Sequence, residues 1–247
     1  MDNRFLTETA CAVGVVASCA FVASADAALV ATLTGYGAGR YQECGFDSGL
    51  AWNSSASVTM ASIRAYQHEL ATGGGAQLLT WCTEVYQGLD VGTAYAFNEV
   101  AAENAPGGAV APGPMGAIKA AAVRDLFARW INPTNGLVNG GIADRDAKSA
   151  AFQVVLWEIT HENFSATSPS GIVSQMSLSS GAFRANLSGD SASWYSAMVQ
   201  SLGVGGFQTA AIGGLTNDFA QDQLYMVPAP GAVALFGLAG IASRRRR

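Results

Sequence analysis

The chain has 247 residues, is 50% hydrophobic and 13% charged, and contains 29 glycines. So apolar a composition excludes a disordered chain, the length suits one domain or two small ones, and glycine without a strict period excludes a collagen-like repeat. Setting aside Asp2, Arg4, Glu8, Asp26 and Arg244 to Arg247 leaves 8 basic against 15 acidic residues, a net of −7, which repels phosphate backbones and argues against a nucleic-acid partner.

Residues 1–27 read as a secretory leader for removal by signal peptidase. Arg4 supplies the positive charge, Ala10 to Ala23 is small and apolar, and Ala25-Asp26-Ala27 is an A-x-A cleavage site. Asp2 and Glu8 are atypical there. The run is shorter than the ~20 residues a membrane span needs. Val16-Ala17-Ser18-Cys19 offers a competing lipobox, with Cys19 lipidated; it ranks second because it leaves the A-x-A site unused.

Residues 28–226 show no charged linker and no internal repeat, and read as a single domain. Strand character is predicted at Ala28 to Thr34, Ser57 to Met60, Gln77 to Val85, Tyr95 to Val100 and Gln223 to Val227. Gly73-Gly74-Gly75 marks the turn before the third. A helix is predicted over Met115 to Ile131, with Asp125 and Arg129 as an i,i+4 pair away from its apolar face and Asn132 to Gly136 as its stop. A second runs from an N-cap at Asp144 to about Thr160, with Phe152, Val155, Leu156 and Ile159 on one stripe. Asn163 to Asp190 reads as loops and short pieces, and a further helix is expected around Ala192 to Leu202. Strands, then helices, then strands predict an α+β domain.

The chain ends in Val227-Pro228-Ala229-Pro230, an apolar stretch from Gly231 to Ala242, and Arg244-Arg245-Arg246-Arg247. Physically this is a short apolar plug held by a cytoplasmic positive cluster. The order closely resembles the PEP-CTERM sorting signal of exported bacterial proteins, with Pro-Ala-Pro where Pro-Glu-Pro is commoner. The resemblance implies an exosortase-type processing protease as partner and delivery to the cell surface or an extracellular polysaccharide matrix, with transient membrane anchoring by this segment. It supplies an address and no activity.

Most catalytic signatures are absent. His68 and His161 do not stand at ligand spacing, and there is no nucleophile elbow, phosphate loop or dinucleotide fingerprint. No metal or organic cofactor is expected, and the chain reads as a non-enzyme. After the leader only Cys44 and Cys82 remain. In an oxidising compartment they could pair as a disulfide; a Cys/His reaction with His161 as base has no local motif behind it.

A different reading comes from Trp81-Cys82 on the third strand and Gln153 four residues before Trp157 on the second long helix, on adjoining turns of one face. An aromatic-Cys strand, a helix and turn, then a helix bearing Gln-x-x-Φ-Trp resembles the Cys-Gln thioester domains of bacterial surface adhesins over roughly Gln77 to His161. That resemblance implies a β-rich sandwich or barrel-like domain with an inserted helical pair. It also implies a thioester between Cys82 and Gln153, supported by Trp81 and Trp157. Phe152 and Val155 replace the Thr and Ala the adhesins favour around the Gln. Two functions follow: covalent capture of amine-bearing surface targets, or a non-covalent structural or exopolysaccharide-associated protein with a Cys44–Cys82 disulfide. A disulfide and a thioester at Cys82 exclude each other.

Overall fold

The computed structural model describes residues 28–108, 111–187 and 189–227. The leader with Cys19 and the sorting segment beyond Val227 therefore lie outside the described residues. Seven strands join one antiparallel sheet: β1 (Leu29–Phe46), β2 (Ala61–Thr72), β3 (Gln77–Cys82), β4 (Ala94–Ala101), β5 (Phe183–Asn186), β6 (Ile212–Thr216) and β7 (Gln223–Met226). Their order is β2-β3-β7-β6-β4-β1-β5, and a further β1–β2 pairing closes the first six strands on themselves. The α+β, β-rich prediction holds, in a barrel-like form.

β1 makes the closure. Its start pairs with β4 from Leu29 opposite Phe97, its length pairs with β2, and its end pairs with β5 from Glu43 opposite Asn186. Register shifts between Leu33 and Gly35 and between Tyr36 and Gly39 bend the strand across its partners. The prediction ended this strand at Thr34, whereas it runs on through Gly35, Gly37 and Gly39 to Phe46. Gly39 is instead required inside it: a Cβ there would stand 2.4 Å from the Ala65 carbonyl oxygen. Ser57 to Met60 is not a strand; β2 begins after it at Ala61. The long predicted third strand stops at Cys82, and Gly-rich β6 and short β5 carry no alternation that reveals them.

Among the described residues four helices lie between β4 and β6: the expected pair α1 (Gly116–Trp130) and α2 (Arg145–His161), the short α3 (Pro169–Gln175) inside the stretch read as loops and short pieces, and α4 (Ser191–Ser201) where the further helix was predicted. α1 stops at the predicted turn, and its Arg129–Asp125 pair forms at 2.9 Å. Asp125 is fully buried, however, and accepts the N–H groups of Gly203 and Gln208 at 2.7 Å each, tying down the loop after α4. Asp144 stands at the start of α2 without a side-chain cap bond.

α2 is the axis of the molecule. Every residue from Ala147 to His161 is buried, because one face meets the helices and the other meets the sheet. Phe152, Val155, Leu156 and Ile159 pack with α1 residues Val123, Leu126 and Phe127. Ala150, Val154 and Trp157 pack with Cys44, Ala65, Cys82 and Phe183. A third cluster, Leu33, Leu70, Phe97 and Leu215, is contributed by the strands themselves.

Candidate functional site

β2 follows β3 only as far as the pairing of His68 with Thr80. At Cys82, the last residue of β3, only β7 remains alongside, with Gln223 opposite. The N–H and C=O of Cys82 need partners, and α2 supplies them from one side chain. Gln153 Oε1 accepts the Cys82 N–H at 3.2 Å, and Gln153 Nε2 donates to the Cys82 carbonyl at 2.7 Å. The carboxamide thus stands where another strand would have stood.

Two more contacts extend this face of α2 along the chain beyond β3. Thr160 Oγ1 donates to the Thr83 carbonyl at 3.1 Å. His161 Nε2 accepts the Val85 N–H at 3.2 Å, while its Nδ1 lies 2.9 Å from the Trp157 carbonyl. That pattern assigns the proton to Nδ1 and keeps the ring neutral. Burial holds the His161 pKa down to about 3. With both nitrogens committed to backbone, His161 is a structural clasp and has no free nitrogen for a Cys/His reaction.

The structure brings Cys82, Gln153 and Trp157 together, each 0% exposed. Burial pushes the Cys82 thiol well above its usual pKa, against the weaker pull of the Trp157 indole, and Glu84 and Cys44 push it further up. The Trp157 Nε1–H makes no well-formed hydrogen bond, so it acts on the sulfur as a weak, poorly aligned donor. Trp81 faces the other way. It lies in the helical cluster with its ring 4.4 Å from that of Phe152, as strand alternation requires of the residue next to Cys82.

Cys44 is also buried, with its thiol pushed up to about 12 by burial. Both cysteines are free. Cys44 lies on β1 opposite Ala61 and Ala185, and β1 and β3 are not neighbours in the sheet, so no cross-strand pairing holds the two sulfurs at bonding distance.

Several residues of the site were not legible beforehand. Glu84 is buried, accepts the Asp222 N–H at 2.9 Å, and is pushed by burial up to about 7. Thr83 is buried with its hydroxyl unpaired. The one available signal was spacing: Gln153, Trp157, Thr160 and His161 stand at i, i+4, i+7 and i+8, a single helix face. Of the sorting motif, Val227 is described, and its N–H donates to the Ala211 carbonyl at 2.9 Å.

The Gln153 carboxamide is thus held against the backbone of a cysteine, its oxygen receiving that cysteine's own N–H, a donor able to stabilise negative charge on that oxygen. Comparison with protein-family models, curated proteins and solved structures finds no match.

Proposed function

We propose that this chain is an exported surface or matrix protein that captures amine-bearing targets covalently through a Cys82–Gln153 thioester. The observation that carries the reading is the two-point clamp of the Gln153 carboxamide on the Cys82 backbone. In bond formation the Cys82 sulfur attacks the Gln153 amide carbon, the C–N bond breaks, and the thiol proton leaves with the nitrogen as ammonia. A target amine then attacks the same carbon, forms an amide and returns the thiol. The protein is its own acyl donor and is consumed, so it is a single-use ligand and no enzyme.

Burial supports both halves of this reading. Water is excluded from a stored electrophile at fully enclosed residues, and a target amine gains access only when the cover over Cys82 and Gln153 opens. The two lysines after the leader are poor internal competitors. Lys119 Nζ donates to the Thr160 carbonyl at 2.8 Å, and Lys148 is buried with its Nζ 4.2 Å from the centre of the Trp194 ring.

The leader and the Val227–Arg247 segment supply the proposed route: signal peptidase, an exosortase-type protease, then the surface or its polysaccharide matrix. Intact mass of the non-reduced secreted domain, beside Cys82→Ala, tests the bond. A deficit of one ammonia, absent in the variant and reversed by methylamine, is the expected result. A deficit of two hydrogens restored by reduction identifies a Cys44–Cys82 disulfide and overturns the proposal.

A further inference from the structure

Cys82 has a second carboxamide beside it. Gln223 stands opposite it on β7, and the two form a non-hydrogen-bonded pair. The Cys82 N–H and carbonyl turn away from β7 to Gln153. The next residue, Thr83, donates its N–H to the Asp222 carbonyl at 2.9 Å, and Gln223 has Leu215 of β6 on its other side. In a pair of this kind the Cα atoms lie about 4.5 Å apart, and the two side chains leave the sheet on the same face at their closest approach. The Cys82 sulfur and the Gln223 carboxamide are therefore neighbours on one face of the sheet, while Gln153 approaches the same cysteine along its backbone edge.

The Gln223 carboxamide is held at both ends. Its Nε2 donates to the Gln221 carbonyl at 3.2 Å. Its Oε1 accepts the Thr80 hydroxyl at 2.9 Å and the His68 Nδ1–H at 3.0 Å. Thr80 lies two residues before Cys82 on β3, and His68 of β2 is paired with Thr80, so strand alternation puts all four side chains on one face. Gln223, Thr80 and His68 are buried. Burial lowers the His68 pKa to about 4, against the pull of the Gln223 bond, so the ring is a fixed neutral donor. Two donors on one carbonyl oxygen polarise it, and they stand within the range of about 2.7–3.1 Å at which donors stabilise an oxyanion. Gln153 Oε1 receives the Cys82 N–H at the longer 3.2 Å.

We propose that Gln223 is a second acyl partner of Cys82, with Thr80 and His68 as the donors to its oxyanion. The sulfur attacks the Gln223 amide carbon, and negative charge gathers on Oε1 between the Thr80 hydroxyl and the His68 N–H. The C–N bond breaks, and the thiol proton leaves with the nitrogen as ammonia. An amine then takes the acyl group and returns the thiol; water in its place leaves glutamate at 223. One sulfur serves one glutamine at a time. Because each reaction expels ammonia, the share of molecules acylated at each position follows the two rates. This rests on the acyl chemistry proposed for Cys82 and adds a second position at which the captured amine resides.

The test locates the acyl group. The whole secreted protein is treated with methylamine in denaturant, so that burial does not limit access, beside Cys82→Ala, then digested and its peptides sequenced by mass spectrometry. N-methylglutamine at 223, absent from Cys82→Ala, is expected beside N-methylglutamine at 153. Thr80→Val removes one donor while nearly keeping the shape, and is expected to lower the 223 share relative to the 153 share tenfold or more. Cys82-dependent label at 153 alone overturns this inference and leaves the Gln153 thioester standing. Label at 223 alone supports it and removes Gln153 from the reaction. Label at neither position overturns both. A 223 share unmoved by Thr80→Val overturns the assignment of the donors.

Discussion

The carboxamide of Gln153 completes the backbone pairing of Cys82, taking its N–H at 3.2 Å and giving a hydrogen bond to its carbonyl at 2.7 Å. One helical side chain thereby substitutes for a strand, at the residue where β3 outruns β2. The same geometry holds the carboxamide against the backbone of the cysteine whose sulfur would attack it.

The clamp has a stability consequence that is independent of any thioester. In a Cys82→Ala background, Gln153→Ala leaves a buried N–H and C=O unpaired, each costing about 1–3 kcal/mol. Urea unfolding is expected to show a further loss of about 2–6 kcal/mol. A loss no larger than that of the exposed Gln208→Ala would remove the clamp from the account.

Trp157 separates packing from protection. Trp157→Ala should cost about 3–5 kcal/mol through the cavity it opens. Trp157→Phe should cost clearly less, since it also deletes a buried donor that has no well-formed bond. Both variants are expected to release ammonia-deficient protein to methylamine faster than the parent, followed by intact mass over time. Unchanged rates in both would mean that Trp157 does not shield the bond.

Glu158 sets an alkaline limb of stability. It is fully buried, accepts from Tyr195 Oη and the Ser177 N–H, and burial pushes its pKa up to about 8, with Glu162 adding to the rise. Unfolded glutamate titrates near 4.3, so the folded state holds the extra proton. Its contribution is full below about pH 4 and is lost as pH rises through about 8. His68 and His161, held neutral by burial near 4 and 3, act in the opposite sense but only below about pH 6.5. Between pH 7 and 8 the urea midpoint should therefore fall, and Glu158→Gln should flatten the fall. An equal slope in the variant would assign the limb elsewhere.

Gly45 lets the segment that leads into β2 rest on β1. A Cβ there would stand 2.3 Å from the Thr59 carbonyl oxygen and 2.8 Å from Val58 Cγ1, so the segment entering β2 lies directly on β1. Gly45→Ala is expected to displace that segment and lower the melting temperature by several degrees. A fully stable variant would show that the segment does not rest on Gly45.

Much of the helical layer was legible. Apolar periodicity located α1 and α2, and Asn132 to Gly136 stopped α1 where expected. The Gly73–Gly75 turn joins β2 to β3 as predicted. The prediction missed β1 beyond Thr34, which runs through Gly35, Gly37 and Gly39, and β6, which carries Gly213 and Gly214; a strand whose neighbour lies close needs residues without side chains, and these leave no alternation to read. β5 failed for a different reason. Four residues held by β1 on one edge and by Glu162 and Leu178 on the other have no local pattern of their own.

A resemblance, and no local pattern, implied the pairing of the Trp81-Cys82 strand with the helix bearing Gln153 and Trp157; the sequence by itself determined an α+β composition and two long helices. Local periodicity and spacing carry that much, since they depend on residues a few positions apart. Only the tertiary structure decided which way each side chain turned. It put Trp157 beside Cys82 and Trp81 on the opposite face, committed both nitrogens of His161 to backbone, and set Cys44 on a strand not adjacent to that of Cys82. The long-range relations among these join residues 38 to 76 positions apart, and they follow from how the sheet closes and where α2 is buried, which no local pattern encodes.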